Sequence, residues 1–347
     1  MAFTINFDMV SSLAANRHVP KLKDNFFLSN ALLYRWKPQQ KNWRGGPALI
    51  VPLGFAPEGG GGSFYSGSDK FDTTIRNPIK AANYFAKNAQ VTVAIDGDEE
   101  LACDGDTAVL NLLEQKMKIA ENTAVDLIGT ALFNDGTNAK AVGGLQLALP
   151  DNITGASQTY GGITCGGSAV ASDTFGWWQP NSDNTGYTTG STGSFYQNTG
   201  VNPLSTMFAT IGFRSGKQPT LIVSNWGSWT EYHNSLAKNE RYDRPQQSTG
   251  MAKAGFTNLM YRNAPWVVDE RAPHNSSTHI EKIYVIDEKA VSLYRHPARD
   301  FYFRKWQDSY DQDARVAYIF HRTELCFDER RSSGCISNVN VNTVFPG

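Results

Sequence analysis

Histidine, cysteine and carboxylate side chains are the usual carriers of metal and proton chemistry, and in this chain their spacing matches none of the familiar sites. The six histidines are His18, His233, His274, His279, His296 and His321. His274 and His279 stand five apart, not four apart as two zinc ligands on one helical face require, and no His-Glu-x-x-His occurs. The four cysteines (Cys103, Cys165, Cys326, Cys335) form no C-x-x-C pair, which argues against a zinc knuckle or redox motif and for reduced thiols. The glycine run Gly59-Gly60-Gly61-Gly62 invites a phosphate-loop reading, but no Gly-Lys-Ser/Thr follows it. Gly216-Lys217 fails the same test, because Gln218 follows and Ile211 stands where the first loop glycine belongs. A calcium loop starting at Asp96 would need glycine at its sixth position, where Leu101 stands. No G-x-S-x-G elbow is present, and no carboxylate pair stands out as a glycosidase dyad. The pattern points away from an enzyme and implies neither metal nor cofactor.

The chain must therefore be read for what it builds. It has 347 residues, 40% of them hydrophobic and 12% aromatic, ample for one large core or several smaller ones. The formal net charge of -1 gives no global pull toward DNA or anionic membranes. No apolar run reaches the length of a membrane span, and the first residues lack the basic-then-apolar layout of a secretory signal.

One stretch organises the rest. From Asp104 to Gly136, Val109, Leu113, Met117, Ala120, Ala124, Leu127 and Ala131 recur at steps of three and four, predicting one long helix. Its length would be roughly 40 Å. Asp104 and Asp106 suit its positive end, and Asn134-Asp135-Gly136 is a stop signal.

Residues 1–44 read as an arm, with seven Lys or Arg against Asp8 and Asp24. Scattered anchors without a continuous pattern predict an arm that lies across a neighbouring copy, or a flexible basic tail. Residues 45–95 read as a β-ribbon: 48–53 outward, 71–75 and 91–95 returning, with Glu58–Gly67 as the tip. The acids of 96–106 (Asp96, Asp98, Glu99, Glu100, Asp104, Asp106) precede the helix, where they suit the positive end of its dipole; the sharper reading is a contact with the basic arm of another copy. Residues 155–200 carry only Asp173 and Asp183 as charges and many aromatics, including Trp177 and Trp178. That composition fits anchored loops, or a sugar-binding face. Strands at 219–224, 256–261, 266–269 and 282–287 with a helix at 226–242 predict a second, α/β lobe. Period-two alternation over 301–306 and 314–327 predicts a closing hairpin that lies along the long helix, so that the second lobe is an insertion in the first.

In this order the chain resembles the major capsid proteins of tailed bacteriophages, which share the Hong Kong 97-type fold. The phrases that carry the likeness are Asn25–Trp36 before Gly45-Gly46, Ile50-Val51-Pro52-Leu53, and Leu132–Gly136 with Gly143-Gly144-Leu145. Further on come Tyr160-Gly161-Gly162-Ile163, Trp177–Asn181, Gly255-Phe256, Pro265–Asp269 and Asp311–Ala314. The resemblance spans essentially the whole chain. It implies an α+β fold with an N-terminal arm (1–44), an extended β-ribbon loop (45–95), a peripheral domain with the spine helix (96–144 and 291–347) and an axial domain (145–290). It also implies self-assembly as hexamers and pentamers into an icosahedral shell, a virion capsid around double-stranded DNA, made in the host cytoplasm and without a membrane. Contacts between copies are assigned to Arg17, Lys21 and Lys23 of the arm, Phe64, Tyr65 and Lys70 near the ribbon tip, and Asp98 and Glu99. The implied partners are further copies, a portal, packaged DNA bound non-specifically, and a cement protein. The arm has no long charged helical leader before it, which predicts a separate scaffolding protein.

Some relatives weld their shells by a Lys–Asn isopeptide bond; Lys70 with Asn338, Asn340 or Asn342 are the matching residue types here. Two other readings compete. An encapsulin-like compartment shares the fold and encloses enzymes in place of DNA. A glycan-binding or glycan-cleaving β-rich protein would use the 155–200 aromatics.

Overall fold

The structure, a computed structural model, describes residues 30–55, 64–70, 77–102, 106–151, 157–166, 176–184, 203–237, 259–275 and 278–341. It is α+β, with two lobes and a two-stranded ribbon.

The chain opens with helix α1 (Ala31–Trp36) and short strand β1 (Lys41–Asn42). The ribbon pairs β2 (Leu49–Gly54) with β3 (Ile79–Tyr84), and β4 (Lys87–Asp96) follows. Helix α2 (Gly97–Ala102) leads into the spine helix α3 (Asp106–Ala131), 26 residues long. After short helix α4 (Leu145–Ala148) come hairpin β5 (Ser157–Tyr160) and β6 (Ile163–Gly166), then β7 (Asn181–Asp183). Next are α5 (Pro203–Ser215), β8 (Leu221–Ser224), α6 (Trp226–Ala237), β9 (Leu259–Tyr261), β10 (Ala264–Val268), β11 (His274–Asn275) and β12 (Ile280–Ile286). The chain closes with β13 (Val291–Arg295), β14 (Tyr302–Asp308), β15 (Ala314–Phe327) and β16 (Gly334–Asn340).

The first lobe is a five-stranded sheet in which β15 carries β4 on one edge and β14 and β13 in series on the other, with β1 beyond β13. Successive side chains on a strand alternate faces. Val93 of β4 and Ala317 and Ile319 of β15 therefore share one face, and Ala120 and Ala124 of the spine helix bury against them. Further along the helix, Ile128 and Leu132 bury in the central core beside α1. The buried stripe runs at steps of four, which drift around a helix of 3.6 residues per turn. It thus turns from the first sheet toward α1, and Leu127, expected on the stripe, is left exposed.

The second lobe is a seven-stranded sheet in the order β7-β16-β12-β8-β10-β9, with β11 on β12. Both of its faces are covered. Ile222, Ile283 and Val285 pack under α5 and α6, while Leu221, Val223, Tyr284 and Ile286 face the core shared with Leu132 and Leu145. All four residues of β8 are buried accordingly.

Three expectations are corrected. The ribbon partner of β2 is 79–84, not 91–95; the latter residues lie in β4, which pairs with β15 over all ten of its positions. Residues 71–75, also expected to return, lie outside the described set. The chain's end does not stay in the first lobe: β16 inserts between β7 and β12 of the second. Finally, the described part of the arm packs on its own body. Ala31, Leu32, Leu33 and Trp36 are core residues, because α1 has an apolar face matched to the end of the spine helix.

Candidate subunit interface

The ribbon has two unlike faces. In register, Leu49, Val51 and Leu53 lie beside Tyr84, Ala82 and Lys80, and this side is turned inward, with Leu53, Ala82 and Tyr84 in the core. The opposite side carries Ile50, Pro52, Ile79, Ala81 and Asn83, all exposed. Ile50 and Ile79 expose 62% and 59% of their surface, and Phe55, Phe64, Tyr65 and Phe85 nearby are exposed as well. Two-stranded ribbons are marginal alone, and among the described residues nothing covers this apolar outer face, which makes it the candidate contact surface.

The ribbon's base is held rigidly. Asn83 N–H donates to the Gly161 carbonyl at 2.8 Å, and Phe55 stacks on Trp177 at 5.5 Å between ring centroids. The Tyr84 hydroxyl donates to the Phe327 carbonyl, and the Tyr160 hydroxyl to that of Leu325, each at 2.8 Å. Behind them Arg330 is fully buried. It donates twice to the Ala148 carbonyl (2.9 and 2.6 Å), approaches Cys165 Sγ at 3.3 Å, and lies over the rings of Tyr160 and Trp178. Burial lowers its pKa, opposed by nearby Cys165 and Tyr160. Trp178, considered for a sugar face, is itself buried, its indole N–H on the Tyr160 carbonyl.

The two lobes and α1 meet at one polar junction. Asp269, at the end of β10, accepts the Leu32 N–H of α1 at 3.1 Å and the Arg271 N–H at 3.0 Å. Arg271 in turn donates from Nε to Asp126 of the spine helix at 2.8 Å. Burial raises the pKa of Asp269 against the pull of those two N–H groups and Arg271. Arg35 of α1 grips Glu288 with two hydrogen bonds of 2.6 and 2.7 Å. Asn30 caps α1 by accepting Leu33 N–H, and its amide lies against Gly129, where a Cβ would sit 1.5 Å from Asn30 Nδ2. The helix-breaking residue in the spine thus makes room for the cap.

The assigned contact residues divide three ways. Phe64, Tyr65 and Lys70 are exposed, as is Asp98. Arg17, Lys21 and Lys23 lie outside the described residues. Glu99 is corrected: it is buried and ion-paired with Lys116 of its own spine helix, so its charge is satisfied within the chain. The candidate weld partners Asn338 and Asn340 sit on β16 of the second lobe, and Asn342 lies outside the described set. Sequence reading missed Ile50, Ile79 and Phe85; Leu49–Gly54 is apolar at nearly every position, so its sequence does not tell the outer face from the inner one.

Three buried titratable groups lie on β15: Glu324, His321 and Cys326, whose thiol pKa is raised by burial. Glu324 accepts the Gly143 N–H at 3.0 Å through one oxygen, while the other has no hydrogen-bond partner. Burial pushes its pKa up to about 7, opposed by the Gly143 N–H and by Lys87. His321 has Nδ1 3.4 Å from Asp300 without a hydrogen bond, and burial, outweighing Asp300, holds its pKa down at about 4. Among the described residues no cluster of three His, Cys, Asp or Glu is placed to hold a metal, and none of the helices is long and apolar enough to cross a membrane.

No family model matches the chain, and neither does any curated protein. Solved structures do. The chain is similar to the capsid asymmetric unit of cyanophage A-1(L), with 16% identity, a TM-score of 0.65, and 95% and 98% of the two chains covered. It is similar to the holo-SrpI encapsulin of Synechococcus elongatus, with 10% identity and a TM-score of 0.56 over 100% and 99%. It is also similar to a chain of Mycobacterium phage Bobi, with 12% identity and a TM-score of 0.55 over 96% and 99%. At these identities the likeness is one of fold: the chain has the Hong Kong 97-type fold.

Proposed function

We propose that this chain is the major subunit of an icosahedral capsid, assembling as hexamers and pentamers around double-stranded DNA. The observation that carries the reading is the ribbon: rigidly based, apolar on its outer side, and uncovered by the described residues of its own chain. A surface of that kind gains burial from an adjacent copy. The end-to-end fold likeness to a cyanophage capsid supports it. The near-neutral net charge also suits a container that must release its DNA, since a strongly basic wall would hold DNA tightly. A scaffolding protein, a portal and a cement protein belong to this proposal as partners.

The encapsulin-like reading stays second, because the likeness to the Synechococcus encapsulin covers the whole chain. Purified particles, imaged by electron microscopy and then treated with nuclease, separate the two. Closed shells holding nuclease-protected double-stranded DNA are the expected result. Closed shells that hold protein cargo and no DNA favour the second reading. A monomer at every concentration and ionic strength defeats both.

A further inference from the structure

The first-lobe sheet is charge-polarised along its length. One end, the turn between β14 and β15 together with the start of α2, gathers Asp308, Asp311 and Asp313 with Asp96 and Asp98. Two basic residues stand there: Arg315, which faces Asp308 at 3.5 Å, and Lys116, which is taken up by Glu99 and the Ala94 carbonyl. Asp98, Asp311 and Asp313 are exposed, and Tyr310 stands fully clear of the chain.

Further along, the face turned away from the spine helix is basic and aromatic. Register sets Tyr302 beside Phe320 and Arg304 beside Tyr318 on that face. The rings of Tyr318 and Phe320 stack at 5.9 Å, and the Arg299 guanidinium lies over Phe320 at 5.3 Å. Arg322 over Trp43 at 5.1 Å continues the strip. Arg299, Arg304 and Tyr302 are exposed. The positions of β4 and β14 that pair with Val316, Tyr318 and Phe320 are Ala94, Thr92, Gln90, Gln307, Arg304 and Tyr302, so no carboxylate projects between them.

The acidic tip cannot reach this strip in its own molecule. Ser309 N–H closes the turn on the Ala314 carbonyl at 2.8 Å. The tip therefore points along the strands, some 20 Å beyond Phe320 at about 3.3 Å per residue. A second copy has no such constraint. We propose that the Tyr310–Asp313 tip of one copy docks on the Arg299–Arg304–Tyr302 face of another. Asp311 and Asp313 would meet the arginines, and Tyr310 would meet the exposed ring. The contact is head-to-tail, joining two different patches, and such contacts form a ring when the rotation between copies closes. The inference rests on the shell reading and names a contact within it.

The test is a charge swap on the full chain. Arg304→Glu alone and Asp311→Arg alone should each raise the subunit concentration needed for assembly about tenfold, the effect of one lost pair of roughly 1.4 kcal/mol. Circular dichroism should show both variants folded, since the two side chains are exposed. The double variant, Arg304→Glu with Asp311→Arg, should recover assembly, and salt should weaken the parent's assembly more than either single variant's. Single variants that assemble like the parent overturn the proposal, as does a double variant no better than the singles. Binding of a labelled oligothymidylate that Arg304→Glu abolishes while assembly stays normal also overturns it, by making the strip a nucleic-acid surface. Assembly of the unmodified chain is scored separately, so failure of the shell reading is distinguishable from failure of this contact.

Discussion

Glu324→Gln should turn a pH-dependent subunit into a flatter one. Glu324 is 4% exposed, and its carboxylate accepts one hydrogen bond from Gly143 and leaves its second oxygen without one. Its pKa rises from 4.5 to about 7 in the folded chain. A folded pKa above the unfolded one means that the native state binds the proton more tightly. The stabilisation is then fully present below pH 4.5 and is lost as pH rises through 7. At 1.36 kcal/mol per pKa unit this is worth about 3 kcal/mol. Glutamine keeps the acceptor for Gly143 and never ionises. Urea unfolding of dissociated parent and variant subunits, from pH 4.5 to 8.5, isolates the effect, because all other titrations cancel in the difference. The variant should match or trail the parent at the acid end and gain on it by roughly 2–3 kcal/mol by pH 8. A parent-minus-variant difference that stays flat across the range would falsify the claim that burial controls this carboxyl.

Three further outcomes follow from the geometry. Gly129→Ala puts a methyl group into the Asn30 amide, so it should destabilise by about 1–3 kcal/mol despite alanine's better helix propensity; Asn30→Ala in the same chain should recover part of the loss in thermal unfolding. Arg330→Ala strands the Ala148 carbonyl and opens a cavity between Tyr160 and Trp178. Chemical denaturation should read a loss of at least about 3 kcal/mol, and Arg330→Lys should not restore it, since an ammonium cannot reproduce the planar fork. Ile50→Asp with Ile79→Asp alters only exposed positions, so circular dichroism should be unchanged while sedimentation shows loss of large particles; normal particles would remove the ribbon's outer face from the assembly argument.

Several elements were legible because their cause is local. The spine helix appears at 106–131 and β15 at 314–327, where the three-four and two-residue periods place them. The buried strands β8 and β12 were equally visible as short apolar runs. Helix α5 at 203–215 went unread although Leu204, Met207, Phe208 and Ile211 keep the three-four step; the signal is one short stripe directly behind a stretch dense in turn residues.

The amino-acid order alone determined the kind of elements: a long helix and long alternating strands. Each of these depends on residues within a turn or two of one another. Tertiary structure decided the rest: that 79–84 and not 91–95 closes the ribbon, that 334–340 leaves the first lobe for the centre of the second sheet, and that Glu99 spends its charge on Lys116. Partners of this kind lie far apart along the chain or compete with equally apolar neighbours. Strand choice and ion pairing are settled by which faces remain uncovered once the helices have packed, and no local pattern records that.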